Sequence, residues 1–326
     1  MNRLPFVTCL LLAFLAGATP ARAFEPRAPE CLAPAKVGGG MDLSCRLVAH
    51  ALEDANLIDR PMKIEFKPGG IGAVAYNHVI GVRNQDPDLI VAASSGSALN
   101  IATKKFGRYD ADAVRWLGAL GADYGVIAVR RDAPWRNLTE LVADLLKAPG
   151  RVTIGGGGSV GSQDWMKTAL LAREAGIDLG AIRYVAFEGG GEAVTALLNG
   201  YIQVFPGDAA EVHALLGSGE VRVLAVLAEK RLPGNFVAVP TAREQGYLVD
   251  WTIWRGYYMG PQVSDEAYGW WVNTLRRLVR TEEFRREREA LGLYPFSLIG
   301  EEFGRYVKDS VRQQRGLAIA IGLINE

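Results

Sequence analysis

The sequence is poor in the residue types that most chemistry needs. Three histidines and three cysteines occur in 326 residues, and His50, His78 and His213 lie far apart, each inside a helix-like segment. Metal ligation needs His, Cys or carboxylates clustered at set spacings, and no such cluster is visible. No glycine run ends in Gly-Lys-Ser or Gly-Lys-Thr, which excludes a Walker A phosphate loop. Ser94-Ser95-Gly96-Ser97 is serine-rich but lacks the GxSxG elbow that exposes a hydrolase nucleophile. A charge excess is missing too: 36 basic residues stand against 36 acidic ones, which argues against nucleic acid or an anionic membrane surface as the main partner. These absences point away from an enzyme, and no cofactor or metal is expected.

Long apolar runs are also lacking beyond the N-terminus, where no stretch of 18 uncharged apolar residues follows. The N-terminus itself reads as a secretory signal. Asn2-Arg3 is a short basic start, Leu4 to Leu15 is continuously apolar, and Ala21-Arg22-Ala23 is a small-x-small cleavage pattern. Cleavage after Ala23 would leave Phe24 first and place the protein in the periplasm. It would also remove Arg3 and Arg22 but no acid, leaving a net charge near −2. Cys9 goes with the leader and has no lipobox after it. Cys31 and Cys45 remain, and an even pair in an oxidising compartment reads as a disulfide, with two buried thiols as the alternative.

What is present is an α/β alternation. Short β-branched runs at Ile64 to Phe66, Leu89 to Ala92, Gly125 to Val129, Val152 to Ile154, Arg183 to Ala186 and Val221 to Val226 alternate with helical periods. Asn137 followed by Glu140 predicts a capped start for LTELVADLLK, and Gly176 a stop after the helix from Trp165. Asp265 to Arg280, Glu282 to Leu291 and Glu301 to Ile324 read as three final helices. The arginines of the middle stretch are balanced by Glu282, Glu283, Glu287 and Glu289, as on a solvated face.

Glycine-rich turns recur between strand and helix at VGGGMD, KPGGIGA, IGGGGSVGSQDW and FEGGGEAVTALL. Each would present backbone N–H groups at a helix N-terminus, where peptide dipoles favour an anion. Four such turns suggest convergence on one anionic ligand. Gly156-x-Gly158-x-x-Gly161 also satisfies the dinucleotide fingerprint, but that reading needs an acid at the end of the next strand. Asp178 lies instead in a loop after Gly176. An anion turn without cofactor, or a plain tight turn, remains. Ser94, Ser95 and Ser97 follow a strand and could donate to a carboxylate or form an ordinary turn. Asp42 reads as the N-cap of LSCRLVAHAL, with or without ligand contact.

In order along the chain, ECLAPAKVGGGMDLSCR, FKPGGIGAVAYNHV, IGGGGSVGSQDW, YVAFEGGGEAVTALLNGYIQV and VPTAREQGYLVDWTIWRGYYMGP resemble the substrate-binding receptors of tripartite tricarboxylate transporters, the Bug-type solute-binding proteins. The likeness runs from about Cys31 to the C-terminus. It implies a two-lobed, type II-like periplasmic-binding-protein fold with the ligand cleft between the lobes. Lobe one would be residues 24–124 plus the returning 228–326, and lobe two residues 125–227. The resemblance assigns the ligand to Gly38, Gly39, Gly40 and Asp42 of the first turn. On the second lobe it assigns Gly157, Gly158, Ser159, Gly161, Ser162 and Asp164, with Gly189 and Gly190. Ser94, Ser95 and Ser97 complete the set. The chain departs from many relatives at Gln203, where they carry Asp, and at Lys36-Val37, where they carry an aromatic residue or proline. Its cysteine pair resembles a subgroup associated with citrate-like ligands. The resemblance thus implies a monomeric receptor that delivers a small di- or tricarboxylate to integral membrane transporter subunits. A carboxylate-sensing accessory to a receptor kinase and an exported enzyme are the alternatives.

Overall fold

The computed structural model describes residues 24–325; the expected leader and its cleavage site at Ala23 lie outside them. The chain begins with β1 (Glu30–Ala33), α1 (Gly40–Asp54), β2 (Lys63–Phe66), α2 (Ala73–Gly81), β3 (Leu89–Ser94) and α3 (Ser95–Ala102). The long strand β4 (Arg115–Arg130) leads into α4 (Leu138–Lys147), β5 (Thr153–Gly157), α5 (Gln163–Glu174), β6 (Arg183–Phe187) and α6 (Gly190–Leu198). Next come β7 (Val204–Phe205), α7 (Ala209–Ser218) and β8 (Val221–Leu227), and then the returning strand β9 (Thr252–Met259). The chain closes with α8 (Asp265–Leu278), α9 (Glu282–Ala290), β10 (Leu298–Ile299) and α10 (Glu301–Ala320).

One sheet runs through the molecule in the order β2-β1-β3-β9-β4-β7-β5-β6, with β8 and β10 also paired to β4. β1 is parallel to β2 and β3, and β5 is parallel to β6 and β7. Helices cover both faces of these parallel parts, so strands such as LIVAAS of β3 are buried throughout. β4 belongs to both parts. Arg115 to Tyr124 pair antiparallel with β9, and Gly125 to Arg130 with β8. At the changeover Gly125 N–H donates to Trp251 O at 2.8 Å, and Trp251 N–H to Leu227 O at 2.8 Å. The chain therefore passes from one half to the other at 124–125 and back at 251–252.

The reading of a strand from Gly125 captures only the second part of β4. Its first part, RWLGALGADY, carries glycines where the register with β9 shifts, between Trp116 and Gly118 and again between Ala119 and Gly121. Such bulges interrupt the alternation by which a strand is recognised. β1 and β9 escape the periodicity reading as well.

Each half has an apolar core on both faces. In the first half, α1, α8 and α9 enclose Leu47, Trp271 and Leu275, while α2, α3 and α10 enclose Tyr76, Ile101 and Phe303. In the second, α4 and α5 enclose Leu141 and Met166, and α6 and α7 enclose Leu197 and Val212. Leu232, Phe236 and Val239 join the α6/α7 core, and Ala242, Val249 and Trp251 the α4/α5 core. Residues 232–251 thus pack on the second half before β9 returns.

Cys31 on β1 and Cys45 on α1 form a disulfide across a Cα separation of 5.6 Å. It staples the strand to the helix on either side of the first glycine turn. Asn137 caps α4 by accepting Glu140 N–H at 2.9 Å. The Glu140 carboxylate reaches back to Arg136 N–H, one residue before the cap. Gly176 ends α5 in the left-handed region at φ +71°. No helix among the described residues is long and apolar enough to cross a membrane.

Candidate functional site

Five helix N-termini open onto one cavity of about 90 Å³ between the two halves of the sheet. They belong to α1, α3, α5, α6 and α7, and each follows a strand or a strand-like turn that aims it inward. The cavity is lined by Gly39, Gly40, Ser94, Ser97, Gly157, Asp164, Gly189 and Gly190, all expected from the sequence. Arg255, Asp208, Glu211, Gln163, Asn100 and Tyr258 line it too and were not anticipated.

The five N-termini differ in how their free N–H groups are met. Ser94 caps α3 by accepting Gly96 N–H at 3.1 Å, while Ser97 Oγ accepts Ser94 N–H at 3.2 Å. Ser162 caps α5 through Trp165 N–H at 3.4 Å. Asp208 and Glu211 form a capping box on α7. The remaining two, α1 and α6, start from Gly39 and Gly189, which have no side chain to cap with. Helix α1 begins at Gly40, two residues before the expected cap. Asp42 therefore sits inside the first turn, accepting Gly38 N–H at 2.8 Å and Arg46 Nε at 2.9 Å, away from the cavity.

Several other expected residues are also kept apart from the cavity. Ser95 Oγ accepts Trp254 N–H at 3.0 Å and ties α3 to β9. Gly158 and Ser159 face a separate rim groove with Ile71 and Glu192. Gly158, at φ +89°, has its N–H on Phe187 O at 2.7 Å. Gly161 packs against Leu323 and Lys105. Ile71 holds φ +56°, a conformation that a β-branched side chain takes only under strain. Its carbonyl accepts Asn100 Nδ2 at 3.0 Å, and the residue lines both the cavity and the rim groove.

Beneath the turns lies a charge cluster. Arg255 Nη2 contacts Asp123 and Asp208 at 2.6 Å each. Lys167 Nζ lies 2.8 Å from Asp164 and 2.5 Å from Asp208, and donates to Gly207 O at 2.8 Å. Asp164 also accepts Gly157 N–H at 2.7 Å. Burial raises the Asp123 and Asp164 carboxyls despite their cation partners. Burial acts on Asp208 in the same sense, but Lys167 and Arg255 outweigh it and hold that carboxyl low. Glu211 has no cation of its own. Burial first, and then Asp208 and Asp164, push its carboxyl well above the usual range. Glu211 accepts Gly40 N–H at 3.0 Å and Asp208 N–H at 3.2 Å.

Asp123, Asp164 and Asp208 thus share two cations, Arg255 and Lys167. The five helix N-termini aim partial positive charge and backbone N–H groups at the cavity, which favours a small anion over a cation. Three buried polar atoms in the lining have no protein partner among the described residues: Arg255 Nε, Asn100 Oδ1 and Gln163 Oε1. No group of metal-ligating side chains occurs among the described residues.

The sequence profile described as "Tripartite tricarboxylate transporter family receptor" matches residues 46–323. The chain belongs to the tripartite tricarboxylate transporter receptor family. Receptors of this family are periplasmic solute-binding proteins, not enzymes. The chain is 26% identical over 254 residues to Protein BugT of Bordetella pertussis, covering 76% of this chain and 75% of that one. MatC from Rhodopseudomonas palustris, solved with bound malate, superposes with a TM-score of 0.78 at 19% identity, covering 89% of this receptor and 98% of that chain. A second R. palustris protein, solved with adipate, superposes with a TM-score of 0.81 at 19% identity, covering 90% of this receptor and 97% of that chain. The architecture of this receptor is accordingly the two-lobed periplasmic-binding-protein fold, with its cleft between the lobes.

The unanticipated residues left faint signals. Arg255 is the one charge in the apolar strand TIWRGYYM, and Asp208-x-x-Glu211 has the spacing of a capping box. Neither signal says that the two side chains meet.

Proposed function

We propose that the cavity binds a small di- or tricarboxylate, which the receptor hands to integral membrane subunits of a tripartite transporter. The observation that carries this reading is the pair of helices α1 and α6, which start from glycines without a capping side chain and line the same cavity. A Cβ on Gly39 would stand 3.7 Å from Gly190 N, and one on Gly191 only 2.9 Å from Gly38 C. The two glycine turns thus pack backbone against backbone at the cavity wall, where only glycine fits. Malate and adipate in the two neighbours support the ligand class. The crossings at 124–125 and 251–252 serve as the hinge between lobes in this reading. Lobe two then extends from residue 125 to 251 rather than stopping at 227.

A thermal-shift screen over malate, succinate, adipate, citrate and tricarballylate tests the reading. Ligand at a hundred times its dissociation constant stabilises the fold by about 2.7 kcal/mol, a rise of several degrees in a chain of this size. The bound acid is recovered unchanged. A screen in which every acid is silent while a sugar or nucleoside raises the melting temperature overturns it.

A further inference from the structure

One carboxyl already occupies the position that the proposed function reserves for the ligand. Glu211 reaches from α7 in the second half to Gly40 N–H at the uncapped start of α1 in the first, at 3.0 Å. It also lies against the other uncapped start, since a Cβ on Gly190 would fall 2.1 Å from its Oε1. Its second oxygen accepts Asp208 N–H. The groups facing it are the Asp208 carboxylate on its own helix, Asp164 and Lys167 from α5, and Arg255 from β9. Both cations are already engaged, Lys167 by Asp164 and Asp208, Arg255 by Asp123 and Asp208. Arg255 and Asn100, 1% and 2% exposed, present unpartnered polar atoms in the same cavity lining.

We propose that Glu211 is a built-in competitor for the ligand carboxylate: ionised it keeps Gly40 N–H for itself and repels the ligand, protonated it yields that N–H and donates to the ligand. This rests on the proposed function. It makes Glu211 a residue that sets ligand affinity by its protonation. A bound carboxylate adds negative charge beside Glu211 and raises its proton affinity further. The complex therefore holds this proton to higher pH than the empty receptor does, a raised-pKa case. By linkage, affinity is greatest while Glu211 is protonated in both states. It falls by up to about tenfold per pH unit once the empty receptor loses the proton, and levels off when the complex does too. The direction agrees with the raised carboxyl of Glu211 in the empty cleft.

The test is calorimetric titration of malate and succinate into the wild-type receptor and Glu211→Gln at constant ionic strength, from about pH 7 to 9, where both carboxyls of these acids are ionised. The wild-type affinity is expected to fall as pH rises, and that of Glu211→Gln to stay level and exceed it at the alkaline end. Glu211→Ala, which cannot reach Gly40 N–H, is a second variant and is likewise expected to bind more tightly than wild type at the alkaline end. Parallel pH dependence in wild type and variants overturns the role of Glu211 while leaving the proposed function standing. Loss of binding in both variants overturns it as well, because Glu211 would then be required for binding instead of opposing it at high pH. Failure of wild type and variants alike to bind malate, succinate, adipate, citrate or tricarballylate overturns both readings.

Discussion

Glycine turns that look alike in sequence are used in two different ways. The turn from Gly156 to Asp164 satisfies itself. Gly157 N–H is held by Asp164, Gly158 N–H by Phe187 O, and Ser162 caps the helix that follows. The turns at Gly38 to Gly40 and Gly189 to Gly190 lead into α1 and α6 from glycines that cannot cap; Asp42 takes Gly38 N–H, and Gly40 N–H is met from the other half, by Glu211. A glycine-rich turn before a helix is thus a place for a ligand only where the turn itself supplies no cap for the helix's first N–H groups. The first kind is structural. The second is where an anion can be taken up, and the Cys31–Cys45 bridge steadies one such turn in place of a cap.

Breaking the self-satisfied turn should therefore cost stability. Lys167→Met removes the buried cation that holds Asp164 and Asp208. Taking one member from such a cluster costs about 3–5 kcal/mol, roughly 5–15 °C in melting temperature. Burial raises the Asp164 carboxyl, and losing Lys167 raises it further, so the deficit should shrink as pH falls and that carboxyl takes up a proton. Differential scanning calorimetry at two pH values checks both the size and the sign. A variant as stable as wild type would mean that the cluster does not support the turn.

The second comparison is in binding. Gly190→Ala places a Cβ 2.1 Å from Glu211 Oε1, inside the cavity lining, and should lower malate affinity tenfold or more, about 1.4 kcal/mol. Ser159 is exposed at the rim, and Ser159→Ala should change affinity by less than about twofold. Equal losses in the two variants would erase the distinction between the turns.

The smallest effect belongs to the lip of the cleft. Lys36 lies 2.6 Å from Glu192, joining the first turn to α6, and both side chains are more than a third exposed. Lys36→Ala should leave stability nearly unchanged and weaken ligand binding only slightly, an effect that diminishes further in high salt. A loss above tenfold in malate affinity would instead make Lys36 a ligand contact.

Much of the architecture was legible because it depends on local pattern. The alternating strands and helices, the capped start of α4, the stop at Gly176 and the cysteine pair all follow from neighbours within a few residues. The glycine turns were legible as helix starts for the same reason. Arg255 and Glu211 were not. One lies in β9 and the other in α7, and their place in the cavity depends on where β9 returns beside β4.

By itself the sequence determined the α/β alternation, the family and the glycine turns, because backbone conformation and helix starts are encoded by adjacent residues. Only the tertiary structure decided which of those turns keeps its N–H groups for itself. That outcome depends on partners far away in the chain, such as Phe187 for Gly158 and Glu211 for Gly40. A hydrogen bond is settled by distance in space, and separation along the chain does not reveal that distance.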